Sequence, residues 1–385
     1  MRNVAVVGIG QTKFGEHWDR SLRDLIFEAG MSAIKDSGLE KEQIQGLYVG
    51  NMSAGRFAGQ EHLGALAADV LGLRVPASRF EAACASGSVA FRNACTSVAC
   101  GMEDVALVVG AEKMTDVSTP AAVLSLAAAG DQEWEAACGL TFAGAYALIA
   151  RRHMHDFGTT KEQLGMVAVE NHKNAVGNPY AQFPFAITLQ DVLEAGMIAD
   201  PLGLMDCSPL TDGAAGVIIT SEDIAKKMNP VWVAGSGQGA DSLALHGRKS
   251  ITEMDATRQA AKTAFEKSGL RKEDIGALEV HDCFTINEIV GIEDLGFCKK
   301  GQGGRFVEDG KISKDGEIPI NMSGGLKACG HPVGATGIRQ IVDIARQLRG
   351  SARNQVNGIE HGLTLNIGGS GATAVVNILS RELKK

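Results

Sequence analysis

Apolar and polar positions alternate with two different periods along this chain. Val4 to Ile9, Ile44 to Val49 and Val105 to Gly110 are apolar runs of strand length. Leu22 to Asp36 is amphipathic at helical spacing and is stopped by Gly38, and Gln60 to Leu71 predicts a second helix. A short run from Ala77 to Ala82 leads into a small-residue helical stretch, which Gly101 is placed to end. Strand and helix patterns therefore alternate, which predicts an α/β fold with helices packed on sheets. Farther on, Thr141 to Phe157 and Thr160 to Ala175 read as helices, and Asn178-Pro179-Tyr180 breaks the second. Ile187 to Val192 and a turn at Asp200-Pro201 complete that region.

The pattern occurs twice. Ser37-Gly38-Leu39, Lys41-Glu42-Gln43-Ile44, Leu47 and Val49 return 231 positions later as Ser268-Gly269-Leu270, Lys272-Glu273-Asp274-Ile275, Leu278 and Val280. A second echo links Asp212-Gly213-Ala214-Ala215-Gly216-Val217 to Ser370-Gly371-Ala372-Thr373-Ala374-Val375 at an offset of 158, shorter by 73. Two related halves, the first carrying an extra segment of about that size between Thr115 and Asp206, account for both offsets. The expected organisation is a first half over 1–115 and 205–228, an inserted loop domain over 116–204, and a second half over 229–385. An insertion of this length commonly carries binding or assembly.

Composition narrows the class. A net charge of −8 with dispersed Lys and Arg argues against nucleic acid or an anionic membrane as the main partner. The strand-like opening Met1-Arg2-Asn3-Val4-Ala5-Val6-Val7-Gly8 does not read as a signal peptide, and no apolar run approaches the roughly 18–20 residues of a span. The eight cysteines form no CxxC pair, which favours reduced thiols in a cytoplasmic protein over disulfides or structural zinc.

Four stretches carry candidate chemistry. In Glu81-Ala82-Ala83-Cys84-Ala85-Ser86-Gly87-Ser88, Cys84 falls where a strand hands over to a helix, a place whose N–H groups and dipole favour a thiolate nucleophile. A buried, inert cysteine is the alternative. Glu279-Val280-His281-Asp282-Cys283-Phe284-Thr285 follows the second-half strand and offers His281 and Cys283 as donor and acid/base, or is a structural loop. In Cys329-Gly330-His331-Pro332-Val333-Gly334, Pro332 suits a first helical turn, which puts His331 at a helix N-terminus in the counterpart position to Cys84. Two-fold halves would bring that imidazole against the thiol, the pairing that cysteine catalysis requires. Asn366-Ile367-Gly368-Gly369-Ser370-Gly371 supplies backbone N–H groups for an oxyanion, or a tight turn between strands.

These motifs, in this order, resemble the thiolase family over the whole chain. The His281-Asp282-Cys283-Phe284 block is similar to the sterol-carrier-protein-type branch, and within it to the archaeal acetoacetyl-CoA thiolases. Gly110-Ala111-Glu112-Lys113-Met114-Thr115-Asp116, Asp131-Gln132-Glu133-Trp134-Glu135 and Glu293-Asp294-Leu295-Gly296-Phe297-Cys298-Lys299-Lys300 carry that narrower likeness. The resemblance implies a thiolase fold, five-layered α-β-α-β-α, with a loop domain that helps hold coenzyme A. It implies Cys84 as the acylated nucleophile, His331 as its proton partner and as a donor to the thioester oxygen, His281 beside it in the enolate oxyanion hole, and Cys283 as acid/base at the α-carbon. Backbone N–H groups of Cys84 and Gly368 would form a second oxyanion hole, with Ser208, Ser323 and Gly324 as substrate contacts. Many thiolases carry a catalytic Cys where this chain has Asn366, which shifts the base to Cys283. The implied reaction joins two acetyl-CoA molecules into acetoacetyl-CoA and CoA, without metal or bound cofactor. Implied partners are further copies in a homodimer or homotetramer, hydroxymethylglutaryl-CoA synthase, and a small acyl-CoA-binding scaffold protein on the mevalonate route to isoprenoids. A degradative or longer-chain thiolase, a β-ketoacyl synthase and a non-catalytic acyl-CoA-binding scaffold are the alternatives.

Overall fold

The computed structural model describes residues 2–383. Its main sheet is built from β1 (Val4–Gln11), β2 (Gly46–Gly50), β3 (Ala77–Phe80) and β4 (Val105–Glu112), continuing after the insertion. The insertion contributes a small hairpin, β5 (Met197–Ala199) and β6 (Leu202–Gly203). The sheet then takes β7 (Gly213–Ser221), β8 (Val231–Ala240), β9 (Ala277–Glu279), β10 (His361–Gly368) and β11 (Thr373–Ser380). The strand order is β3-β2-β4-β7-β1-β8-β11-β10-β9. Read outward from the antiparallel β1–β8 contact, each half has the same sequence of strands, so β7 matches β11, β4 matches β10 and β2 matches β9. An isolated parallel bridge from Leu278 to Ile320 stands where β3 pairs in the first half.

The principal helices are α1 (Leu22–Ser37), α2 (Leu63–Leu71), α3 (Ser86–Cys100), α4 (Phe142–Phe157), α5 (Lys161–Ala175), α6 (Asp255–Ser268), α7 (Thr285–Asp294), α8 (Gly325–Cys329) and α9 (Thr336–Arg349). α1 and α6 are the repeated pair. Each ends in a left-handed glycine, Gly38 or Gly269, and each is followed by a short turn into the next strand. α1 covers one face of the first half-sheet and α6 covers the outer face of the second. α3 and α9 lie together between the half-sheets, giving the α-β-α-β-α layering. Their approach is close because Gly87 has no side chain: a Cβ there would lie 2.7 Å from the Gly334 carbonyl oxygen.

Two expectations change at this level. Residues 113–212 separate β4 from β7, whereas only 369–372 separate β10 from β11, so the insertion exceeds the size that the offsets imply. The second half compensates with extra chain of its own, residues 280–360 standing where the first half has 51–104. Helix α9 begins at Thr336, four residues past Pro332. Residues 330–335 instead form a turn that Glu112 holds through the Gly334 N–H (3.1 Å). The start of the insertion stays on its own half, Ala122 packing with Phe57 and Cys84, but its two long helices pack away from that half. Tyr146, Ile149, Leu164 and Val167 of α4 and α5 share a core with Ile286, Ile289 and Leu365 of the second half.

Candidate active site

Cys84 lies in a tight turn after β3 and two residues before α3. Ala83 adopts φ 51°, a left-handed conformation that costs a residue with a Cβ about 1 kcal/mol or more. The turn is held from both sides. Glu81 accepts the Ala83 N–H (2.6 Å), while the Ser86 hydroxyl accepts the Ala82 N–H (2.9 Å) and donates to the Ala83 carbonyl (2.6 Å). The strained geometry aims the sulfur inward. Burial pushes the thiol up to about 12, although the N–H groups of Gly369 and of Cys84 itself favour the anion. The resting group is therefore a thiol, which corrects the expectation of a thiolate at the helix end. Desolvation in the enclosed turn outweighs the helix terminus.

His331 reaches this sulfur from the 330–335 turn. Its N–H is held by the Thr211 hydroxyl (3.0 Å), and its Nδ1 meets the Thr336 hydroxyl at 2.6 Å. Thr336 donates its proton to the Pro332 carbonyl (3.1 Å), so its oxygen accepts from Nδ1–H. That network assigns the lone pair to Nε2. Burial, then Arg339, lowers the imidazole to about 3, which keeps it neutral at working pH.

His281 has the opposite assignment. Asn366 Nδ2 lies 3.0 Å from the Cys84 carbonyl oxygen and 3.1 Å from His281 Nδ1. A carbonyl only accepts, so the amide nitrogen faces it, and the second amide hydrogen points at Nδ1. His281 then carries its proton on Nε2, a fully buried atom with no partner among the described residues. The His281 and His331 rings meet edge to face, centroids 5.0 Å apart. The Cys84 sulfur and a ring nitrogen of each histidine lie within 4.8 Å of one another. Such a trio resembles a metal site, but a metal-bound imidazole donates its outer N–H to a second-shell acceptor. His281 accepts there, so this set suits proton transfer rather than ligation.

Cys283 closes the group. Its thiol is buried and raised well above the ordinary range, first by desolvation and then by Cys84, while a hydrogen bond from Tyr146 favours the anion. The Asn287 amide holds the His281 carbonyl (2.5 Å) and approaches the Cys283 sulfur (3.8 Å). Between them, Asp282 accepts the Leu326 and Lys327 N–H groups (2.6 and 3.0 Å), pinning the loop to the start of α8. A cavity of about 460 Å³ opens beside the turn, lined by Ser53, Arg56, Ala82, Ala83 and Gly368.

The structure brings together Cys84, His281, Cys283 and His331. Gly368 is adjacent, packed on the Ala82 carbonyl, but the N–H that faces the sulfur is that of Gly369. Both glycines flank the turn between β10 and β11, so the tight-turn and backbone-donor readings of this stretch hold together. Ser208 is a neighbour through its N–H on the Cys283 carbonyl (2.9 Å). Ser323 and Gly324 stay out of the constellation. The Ser323 hydroxyl is taken up by Glu279 (2.7 Å) and Arg339 (2.6 Å), and Gly324 packs against Ala175 of α5. Sequence reasoning missed Tyr146, Thr336 and Glu112. Tyr146 is fully buried, stacks on Phe284 (centroids 4.7 Å) and donates to the Gly369 carbonyl (3.0 Å). A lone acid at the end of an apolar strand was the one signal for Glu112; nothing in the sequence pointed to Tyr146 or Thr336.

Comparison with known proteins converges on one family. The thiolase N-terminal domain matches residues 4–223, and the thiolase C-terminal domain-like model matches 237–381. An acetyl-CoA acetyltransferase of Methanothermobacter thermautotrophicus is 54% identical, with 99% of this chain and 100% of that protein aligned. An acetyl-CoA acetyltransferase of Methanocaldococcus jannaschii is 48% identical, with 99% of each aligned. Among solved structures, a chain of the Ltp2-ChsH2(DUF35) aldolase superposes with a TM-score of 0.87 at 29% identity, covering 100% of this chain and 99% of that one.

Proposed function

Because this chain belongs to the thiolase family and is an acyltransferase, we propose that it is an acetyl-CoA C-acetyltransferase that joins two acetyl-CoA molecules into acetoacetyl-CoA and CoA. The observation that carries this reading is the convergence of one thiol and two imidazoles of opposite tautomer within 4.8 Å. His331 Nε2 takes the Cys84 proton as the sulfur attacks the first thioester carbonyl. The oxyanion is met by N–H groups at Cys84 and the Gly368-Gly369 turn, each such donor worth about 3 kcal/mol. CoA leaves as a thiol carrying the proton from His331, and Cys84 holds the acetyl group.

The second acetyl-CoA then loses an α-proton to Cys283, which reacts as the thiolate, its own proton having first left to solvent, and so becomes the thiol. The enolate oxygen is met by His281 Nε2–H, while His331, with its lone pair on Nε2, has no hydrogen to offer there, and the carbanion attacks the acetyl-Cys84 carbonyl. Collapse expels the Cys84 thiolate, which takes the proton back from Cys283, and releases acetoacetyl-CoA. The inserted segment, 116–204, helps hold coenzyme A, with Ser208 at its border. No metal or bound cofactor enters these steps.

The same reading extends to partners. Condensation of two thioesters is uphill, so a product-consuming enzyme such as hydroxymethylglutaryl-CoA synthase would pull it forward, placing the chain on the mevalonate route in the cytoplasm. A thiolase-fold relative solved with a DUF35 protein supports a small scaffold partner. The unpaired outer edge of β3, with Ala77 and Phe80 half-exposed, supports a homodimer or homotetramer.

Thiolysis of acetoacetyl-CoA by wild type, Cys84→Ala and Cys283→Ala tests the reading. Cys84→Ala is expected to lose at least about 10⁴-fold, with the acetyl adduct absent from its mass spectrum. Unchanged activity in that variant overturns the proposal. Retained activity in Cys283→Ala alone moves the α-proton base elsewhere, and rates across acyl-chain lengths separate acetoacetyl-CoA from longer substrates.

A further inference from the structure

We propose that Asn366 is a positioning residue that sets the tautomer of His281, locking its proton on Nε2 so that the imidazole can only donate to the enolate oxygen. This rests on the reading of His281 as an enolate donor, but the tautomer itself is testable apart from that reading. Asn366 sits on β10, inside the sheet, where its side chain is fully buried. Its Nδ2 spends one hydrogen on the Cys84 carbonyl (3.0 Å) and the other on His281 Nδ1 (3.1 Å). Turning the amide over would set Oδ1 against the Cys84 carbonyl oxygen, two acceptors at hydrogen-bond distance. The orientation is therefore forced, even though it leaves Oδ1 buried and without a protein partner.

Nδ1 cannot both accept that hydrogen and keep its own. The neutral ring must then hold its proton on Nε2, which has no partner among the described residues. Burial, then His331, then Arg339, keeps the ring neutral by lowering it well below its ordinary value. One amide thus meets two acceptors at once: the Cys84 carbonyl, in a turn that Glu81 and Ser86 already hold, and His281 Nδ1, whose tautomer only the amide sets. A cysteine at this position would offer one weak S–H and could not hold both acceptors.

The test separates the two half-reactions. Exchange of labelled CoA into acetyl-CoA needs only acyl transfer through Cys84, whereas condensation and thiolysis also need the enolate. In Asn366→Asp the carboxylate accepts from Nδ1–H, which moves the lone pair to Nε2 and points it at the enolate oxygen. Condensation and thiolysis are expected to fall about 10²–10³-fold, the loss of one oxyanion donor, with CoA exchange reduced by no more than about fivefold. In ¹⁵N spectra of histidine-labelled protein, the His281 signal (assigned by its absence in His281→Asn) should show a protonated Nε2 in wild type and a protonated Nδ1 in Asn366→Asp. Asn366→Ala, which releases both the ring and the Cys84 carbonyl without adding an acceptor, should show the same split with a smaller loss, about 10–100-fold, and serves if the aspartate variant does not fold. An equal fall in exchange and condensation, or an Nδ1–H tautomer in wild type, overturns the proposal. Absence of both reactions in wild type would overturn the condensing function instead, and the wild-type spectrum would still decide the tautomer.

Discussion

Glu112 and Asn366 stand near the ends of matching strands, β4 and β10, and do opposite things with the same geometry. Each reaches the loop after the neighbouring parallel strand, and each also reaches a turn supplied by the other half. Glu112 accepts from Asn51 Nδ2 (2.9 Å), Met52 N–H (2.9 Å) and Ser53 N–H (3.0 Å) after β2, and from Gly334 N–H (3.1 Å) beside His331. Asn366 donates to His281 after β9 and to the Cys84 carbonyl. Burial raises the Glu112 carboxyl to about 7, but both of its oxygens are taken up by donors, so the side chain only accepts and it braces. The amide hands on a defined proton pattern, so it instructs. Duplication supplied two equivalent cross-ties, and the chemistry of one side chain decides which half acts as frame and which as acid/base machinery.

If the first half only frames the nucleophile, Cys84 must rest as a neutral thiol. With its thiol pushed to about 12 by burial, the thiolate fraction rises tenfold per pH unit throughout the neutral range. His331, lowered to about 3, stays neutral there and adds no inflection. Alkylation of Cys84 by iodoacetamide should therefore climb about a thousandfold from pH 6 to pH 9 without levelling. The rate must be read on the Cys84 peptide, because Cys100 and Cys138 are exposed. A plateau below pH 8 would mean a preformed thiolate–imidazolium pair and would break the division between frame and machinery.

The brace makes the next prediction. Glu112→Ala leaves four donors without their acceptor in the interior, at about 1 kcal/mol or more each, so a loss of about 3–5 kcal/mol of stability is expected. The folded fraction should still exchange CoA into acetyl-CoA. A denaturation midpoint unchanged from wild type would remove Glu112 from the frame.

The halves themselves were legible because duplication repeats a helix stop and a strand start together. Ser37-Gly38 and Ser268-Gly269 end α1 and α6, and the equivalence of β7 with β11 follows from one glycine-alanine echo. Cys84, His281, Cys283 and His331 were legible as reactive residue types beside turn residues. What stayed hidden depends on who touches whom across the halves. The offsets record only a net length difference, so an extra stretch in each half partly cancelled. Pro332 looked like a helix start, and only the Glu112 contact to Gly334 shows why the turn stays open until Thr336. The thiol's protonation depends on burial, which local sequence does not state. Asn366 was visible as a missing cysteine, while its two acceptors lie 282 and 85 positions away along the chain.

The smallest effect sharpens the comparison by adding the insertion as a third contributor. Tyr146 comes from α4, in the segment that interrupts the first half, yet it serves the second half's thiol. Its hydroxyl donates to the Gly369 carbonyl (3.0 Å) and stands by to donate to the Cys283 thiolate as that anion forms. In Tyr146→Phe the ring keeps its stacking on Phe284, so packing is little changed. The loss is one hydrogen bond to a developing charge, about 1.5 kcal/mol because the hydroxyl must first leave the Gly369 carbonyl, which is roughly a tenfold fall in condensation. CoA exchange, which does not use Cys283, should hold. If both reactions fell together, Tyr146 would act through the Gly369 turn and so through Cys84. The insertion would then belong with the frame that presents the nucleophile, and Cys283 would have to take its proton unaided.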